Sequence, residues 1–262
     1  MKVGFYVKNG KWNKMNMPHF AEIAESHGIY LKRIDLDQDL VEQGPFDLII
    51  HKSIDLFVQS IYFDNKKACD QLNKFQSYIK NNPQIPISNP LNFDYLVISR
   101  KRIFNELKKL NFNGDCIVPD MSIKTGKYVI KSDLACGAES AHKFEYLCDQ
   151  DFNPSIEELH FVQPFFETGD SVIKVYVIGK YTKVNVKKPK NFELNYDLNA
   201  IERISDVLRK GLRCELFGYD LIRDIHTGNF YIIDLNSFSG IEVIPGFEEM
   251  MIDFFQTKIK AK

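Results

Sequence analysis

The chain has 262 residues, with Lys+Arg 34 against Asp+Glu 35 and a formal net charge of -1. So even a balance creates no field that would draw the protein onto nucleic acid or an anionic membrane, and any anion site must be local. The opening MKVGFYVKNG reaches Gly10 without the apolar length of a secretory signal or a membrane span, so the expectation is a cytoplasmic monomer with neither nucleic-acid nor membrane partners.

Residues 2–7 are alternating, β-branched or aromatic, and read as a strand. A helical pattern opens over Phe20 to Ala24 and stops at His27 and Gly28; 29–36 and 46–52 are further strands, and Lys66 to Lys80 is a long helix closed by the loop NPQIPISNP. This order predicts an α/β lobe over 1–92 whose strand ends aim loops at one edge, where open α/β sheets bind ligands. A helix from Asp94 to Leu110 opens a central lobe, 93–168, and NFNGDCIVPD breaks it. There follow a strand at 127–131, the glycine-bearing turn LACGAESA, a short helical stretch and a strand at 159–166. The last lobe, 169–262, holds a hairpin turning at Gly179 and Lys180, a helix from Asn199 to Leu212, two strands joined at Thr227 and Gly228, and an amphipathic helix from Phe247 to Ile259.

The densest chemistry lies in FGYDLIRDIHTGNFYIIDLNSFSGIE, 217–242. Asp220 and Asp234 stand in apolar β-runs that read as hairpin partners, and Asn236, two residues past Asp234, shares its strand face. Hard oxygen donors so arranged suit Mg²⁺, which binds through one or two carboxylates plus substrate phosphates. A merely solvated hairpin face is the plainer alternative, but a carboxylate among Leu221, Ile222, Ile232, Ile233 and Leu235 normally has a partner.

Lys131 ends a strand and precedes the glycine-bearing turn, an arrangement able to hold phosphates; by itself it would read as a surface lysine. In HFVQPFF, Pro164 interrupts an apolar strand and exposes backbone groups that could pair with an adenine edge, or could equally be a connector. Lys11, Lys52, Lys174, Lys187 and Lys188 follow or interrupt apolar runs, where a cation needs an anion or an edge position, whereas Lys66, Lys67, Lys101, Lys108 and Lys109 read as solvated helix faces. The five cysteines are odd in number and form no CxxC pair, which argues against a disulfide framework or a zinc knuckle; Cys136 reads as a small turn residue. The P-loop and protein-kinase motifs are absent.

The order Lys131, Gln163, Lys174, Asp220, Asp234-Leu235-Asn236 resembles the ATP-grasp fold, in which two α+β lobes grip ATP and the carboxylates of the last lobe hold Mg²⁺; the match covers roughly 94–260. More specifically, the chain is similar to the inositol-tetrakisphosphate 1-kinase family, also called inositol 1,3,4-trisphosphate 5/6-kinase. The segments that carry the similarity are VGFYVKNGKWNKMN, EQGPFDLIIHKSID, IKSDLACGAESAHKF, VQPFFETGDSVIKVYVIG, VKKPKNF, LFGYDLI and YIIDLNSFSGIE. The resemblance implies an α/β chain, an ATP-grasp fold with an N-terminal α/β substrate lobe, that phosphorylates a hydroxyl of an inositol tris- or tetrakisphosphate from Mg-ATP. It implies inositol-phosphate contacts from Lys11, Lys52, Lys174, Lys188, Gly240 and, with a one-residue insertion in the turn, His142; Lys52 and Lys174 are the catalytic pair. ATP contacts fall on Arg100 (Arg102 being the alternative register), Lys131, Gln163 and the backbone of Phe165, and the metal on Asp220, Asp234 and Asn236. Lys188 stands where relatives carry an arginine, exchanging a bidentate fork for a point charge. Two rivals remain. An ATP-grasp carboxylate–amine ligase would not need so many cations, and a non-catalytic phosphoinositide-binding module would not need the Asp and Asn set.

Overall fold

The computed structural model describes residues 1–120, 126–136, 141, 143–148, 160–168, 172–186, 197–238 and 240–261. In the first lobe β1 (Lys2–Tyr6) is the central strand of a parallel sheet, flanked by β2 (Tyr30–Arg33) and β3 (Leu48–His51). Val3 and Phe5 are fully buried because helices cover the sheet. Those helices are α1 (Asn9–Lys14), α2 (Met17–Ser26), the short α3 (Leu40–Gln43), α4 (Ile54–Tyr62) and α5 (Lys66–Asn81). Of these, α2 and α5 follow the apolar periodicity and α5 is capped by Asn65, whose side chain accepts from the amide of Ala68 at 3.1 Å. The helices α1, α3 and α4 are absent from the sequence expectation: two are short, and α4 sits in an apolar stretch directly after a strand, where helical and extended patterns look alike.

The single helix expected from Asp94 to Leu110 is two helices, α6 (Leu91–Val97) and α7 (Arg100–Leu107). Between them Ser99 adopts extended backbone, bridges Leu134 and caps α7 by accepting from the amide of Arg102 at 3.2 Å. Asp133 completes this joint, accepting from the Ser99 hydroxyl at 2.8 Å and from the Lys101 amide at 2.8 Å. A capping serine inside a helical pattern is the signal that marks the break.

The second sheet has β4 (Lys127–Ser132) at its centre, antiparallel to β5 (Phe144–Cys148) and β6 (His160–Pro164). Part of the short helical stretch expected after the glycine-bearing turn is therefore corrected: Phe144–Cys148 is an edge strand. Phe144 and Tyr146 alternate along it, both well exposed, with their rings 5.5 Å apart. Period-two aromatic spacing is a strand signal.

The third sheet is fully antiparallel, in the order β10 (Phe230–Ser237), β9 (Leu216–Arg223), β7 (Val172–Ile178), β8 (Tyr181–Val186). Its inner face, with Ile173, Val175, Val177, Phe217, Tyr219 and Leu221, packs under α8 (Leu198–Leu212), whose Ile201, Ile204 and Leu208 form one apolar stripe. Phe93, Phe104 and Leu107 of α6 and α7 join the same core. The last helix, α9 (Phe247–Lys260), wedges between the first and third sheets: Phe20 of α2 meets Phe247 at 5.8 Å and Phe255 at 6.1 Å.

The first and third sheets are also joined by a buried polar cluster. Asp94 of α6, fully buried, accepts at Oδ2 from the Ser53 amide at 2.7 Å and the Ser53 hydroxyl at 2.7 Å, lies 3.2 Å from Nδ1 of His51, and accepts at Oδ1 from the hydroxyl of Ser237 on β10. Asn89 accepts from the amides of Glu215 and Leu216 at 2.9 and 3.0 Å, and its carbonyl lies 2.7 Å from His51 Nε2. Burial opposes the charged forms, but the two charges and their hydrogen bonds outweigh it: His51 is held above its ordinary value and Asp94 below. The pair's stabilisation is then whole between the ordinary 3.8 of the carboxyl and 6.5 of the imidazole, and is lost as pH falls through the depressed Asp94 value or rises through the raised His51 value. Removing one partner of such a pair leaves the other buried and unmatched. Asp94→Ala should therefore cost about 3–5 kcal/mol in urea unfolding at pH 6, with a smaller difference from the unsubstituted protein once His51 loses its proton.

Candidate active site

Three charged side chains stand in one row across the third sheet. Lys174 on β7 is in register with Asp220 on β9, which is in register with Asp234 on β10. A β-bulge creates the second pairing: Ile232 faces Leu221 and Asp234 faces Asp220, so Ile233 is the extra residue. Ile232 and Leu235, three apart, can then both enter the core, fully buried, while Asp234 and Asn236 turn to the opposite face. Lys174 Nζ donates to Asp220 Oδ2 at 2.7 Å, and Asn236 Nδ2 donates to Asp234 Oδ2 at 2.9 Å. Burial works against the Lys174 charge, but the Asp220 carboxylate outweighs it and holds the amine above its ordinary value. Burial pushes the Asp220 carboxyl up while Lys174 pulls it back.

The second sheet faces this row. Lys131 Nζ donates to Gln163 Oε1 at 2.9 Å. Burial depresses the Lys131 amine, and Asp234 and Asp220 counter this from across the cleft. Gln163 is 2 % exposed, and its Nε2 has no hydrogen-bond partner among the described residues. A buried amide donor without an acceptor normally marks a place for a ligand or a water.

Arg100 is turned inward and braces the glycine-bearing turn, with Nη1 donating to the carbonyls of Ser132 at 2.6 Å and Leu134 at 3.1 Å and Nη2 to Ala141 at 3.0 Å. Its Nε is buried with no hydrogen-bond partner among the described residues. Arg102, the alternative register, lies 4.3 Å over the ring of Tyr95. The amide of Phe165 donates to the carbonyl of Lys127 at 2.9 Å, so what its backbone can offer a base is the carbonyl.

At the end of β10 the first lobe supplies its cations. Lys52, directly after β3, donates to the carbonyl of Phe238 at 2.8 Å, and Lys11 of α1 donates to both oxygens of Glu242 at 3.0 and 3.3 Å. Phe238 has φ 39, a left-handed value costly for a bulky residue and typical of strained functional turns. Burial, reinforced by Lys11, pushes the Lys52 amine down to about 8. Gly240 lies beside Glu242: a Cβ there would sit 3.5 Å from its carboxylate. The Cys136 thiol is pushed up by burial to about 11 and stays protonated at neutral pH, in keeping with a turn residue. His142 and Lys188, with Lys187, lie outside the described residues.

Sequence reasoning therefore assembles Lys131, Gln163, Lys174, Asp220, Asp234 and Asn236 at one cleft, with Lys11, Lys52 and Gly240 at its end. It misses Asp94, Ser53 and Ser237, whose polar side chains carry no periodic signal, and Glu242, one of many acidic residues. A separate cavity of about 810 Å³ opens at the ends of β1 and β2, lined by Tyr6, Lys8, Arg33, Asp37 and Asp55 among others. It carries both signs of charge, with Lys8 3.5 Å from Asp55 and Lys67 2.8 Å from Asp37. None of Lys11, Lys52 and Lys174 lines it.

Two sheets gripping a cleft, one offering a lysine and a buried amide and the other a row of carboxylates, define an ATP-grasp protein. The fold matches solved structures of that class. A Chryseobacterium gregarium RiPP-associated ATP-grasp ligase in complex with ADP and a leader and core peptide aligns with TM-score 0.69 at 10% identity, over 98% of this chain and 97% of that one. The D-alanine–D-alanine ligase of Bacillus anthracis aligns with TM-score 0.61 at 12% identity, over 99% and 96%. Within that class the sequence is specific: residues 2–93 match the inositol 1,3,4-trisphosphate 5/6-kinase pre-ATP-grasp domain and residues 185–257 the ATP-grasp domain of the same family. Inositol-tetrakisphosphate 1-kinase of Xenopus laevis is 27% identical over 98% of this chain and 78% of its own length, and inositol-tetrakisphosphate 1-kinase 1 of Arabidopsis thaliana 23% over 99% and 96%. The chain belongs to the inositol 1,3,4-trisphosphate 5/6-kinase family.

The depressed Lys52 amine is directly observable. Side-chain NMR of ¹³C-labelled lysine should show one Cε resonance titrating near pH 8, and that resonance should vanish in Lys52→Arg; titration of every lysine above pH 10 would remove the basis for a buried, cation-crowded Lys52.

Proposed function

We propose that this chain is an ATP-dependent inositol polyphosphate kinase that transfers the γ-phosphoryl group of Mg-ATP to a hydroxyl of an inositol tris- or tetrakisphosphate. One observation carries the reading: the Lys52 amine rests on the carbonyl of Phe238, two residues past Asn236, so cations suited to a polyanion and carboxylates suited to a metal meet at one strand end. We assign the three lobes to 1–92, bearing substrate lysines, and to 93–168 and 169–262, which close on the nucleotide.

The donor set fits a nucleotide-bound magnesium. Among the described residues no three His, Cys, Asp or Glu side chains form a metal cage, and Mg²⁺ on a triphosphate needs none, taking one or two carboxylates and filling the remainder with phosphates and water. Asp234 and Asn236 would hold it, with Asp220 offering the oxygen that Lys174 leaves free. When bound, the ion neutralises charge on the transferring phosphate. Lys131 and the orphaned Gln163 amide orient the nucleotide, Arg100 and the Phe165 backbone support it, and Lys52 and Lys174 offset charge on the transferring oxygens. Lys11, Gly240, His142 and Lys188 complete the inositol-phosphate contacts.

A cytoplasmic monomer fits the even charge and the cysteines Cys69, Cys116, Cys136 and Cys214, free among the described residues, and no described helix is long and apolar enough to cross a membrane. The ligase reading rests on the fold shared with solved ligases. Lys11, Lys52 and Lys174, gathered with Lys131 around one cleft, favour a substrate bearing several phosphates.

Three measurements test the assignment. ADP release at fixed Mg-ATP should be driven by inositol trisphosphates and not by simple carboxylic acids with an amine; the reverse pattern makes the chain a ligase. Asp234→Ala should fold and lose Mg-dependent turnover by at least about a hundredfold, the scale of removing one preorganised electrostatic group; full turnover would exclude it as a metal ligand. Because Lys52 loses its charge as pH rises through about 8, KM for the inositol phosphate should climb above that pH and flatten in Lys52→Arg, while KM for ATP stays level.

A further inference from the structure

The expected ligand of the cleft end is a polyanion, yet a carboxylate stands among its cations. Glu242 is the central residue of the 3₁₀ turn Ile241–Val243, which is closed by the Ile244 amide donating to the Ile241 carbonyl at 3.0 Å. Both oxygens of Glu242 face Lys11 Nζ, at 3.0 and 3.3 Å, and the two side chains are only 14 % and 20 % exposed. Glu242 also acts on Lys52, favouring its charged form where Lys11 disfavours it. Gly240 keeps the space beside the carboxylate open.

Half-buried charges are weakly screened, so an arriving phosphate and this carboxylate repel strongly. To reach Lys11 a phosphate must break the pair and leave Glu242 facing two negative charges. A hydroxyl meets no such barrier: it donates to a carboxylate oxygen while Lys11 keeps the other. We propose that Glu242 is a specificity-determining residue, which holds Lys11 and accepts a free hydroxyl of the inositol ring, so that a phosphate at that ring position is rejected. This inference rests on the reading of the cleft end as an inositol-phosphate site. Specificity then comes from a repulsive element as much as from the attractive lysines.

The test is calorimetric titration of inositol 1,3,4-trisphosphate and of each tetrakisphosphate that adds one phosphate to it, into the unsubstituted protein, Glu242→Gln and Lys11→Gln. Glutamine keeps the shape of the side chain and a contact to Lys11 while removing the charge. At least one tetrakisphosphate should bind the unsubstituted protein no better than the trisphosphate and gain about tenfold relative to it in Glu242→Gln. That same ligand should lose ground in Lys11→Gln, where the carboxylate has no partner, which keeps the idea testable if Glu242→Gln is poorly folded. Ratios unchanged within about twofold in both variants, with all ligands binding, overturn the inference alone. Retained ATP binding with no inositol phosphate bound by any of the proteins overturns the underlying reading and the inference with it.

Discussion

The structure depends on one buried carboxylate. Asp94 accepts from Ser53, pairs with His51 and accepts from Ser237, all at 0–1 % exposure. Lys52 lies between His51 and Ser53, and Asn236 directly precedes Ser237, so the two elements that present candidate substrate and metal ligands are tied to the same two oxygens. An uncompensated charge at this depth would be prohibitive, which forces the four side chains into one arrangement. Asn89, just before α6, adds a neutral tie, joining His51 to the backbone of Glu215 and Leu216.

Around that anchor the site keeps its charges internally matched. Lys174 is held by Asp220, Lys11 by Glu242, Lys52 by a carbonyl and Lys131 by the Gln163 amide oxygen. Among the described residues, buried donors without a hydrogen-bond partner remain on Gln163, Arg100 and Arg102. A cleft built to receive several negative charges would otherwise carry unopposed repulsion among its lysines; burial and, after it, Lys11 already hold the Lys52 amine below its ordinary value.

Much of this was legible in the sequence. The D…D-x-N pattern on paired strands placed Asp220, Asp234 and Asn236 together because strand alternation is rigid, and Lys174 and Lys52 stood out as cations ending or interrupting apolar runs. The bulge at Ile233 was not legible: alternation alone carries across 230–237 without showing that Asp234 must slip by one residue to face Asp220. Nor was the tie through Asp94, which the sequence offers as one more polar residue in a helix. Its meaning depends on a serine 143 positions away. The split at Ser99 and the strand at Phe144–Cys148 did carry local signals, a capping serine and alternating aromatics, and these outrank the helical periodicity and turn spacing that suggested otherwise.

The ties at the cleft end are long in sequence. Lys52 reaches Phe238 across 186 residues, Lys11 reaches Glu242 across 231, and Phe20 rests on the last helix. During synthesis the first lobe must therefore leave the ribosome with an uncovered apolar flank and with Lys11 and Lys52 unmatched, waiting for partners translated 231 and 186 residues later. Until those partners are made, the apolar face of α2 stays exposed, the condition in which partly folded chains are prone to aggregate, and the charge matching at the cleft end is completed only after the third sheet has formed.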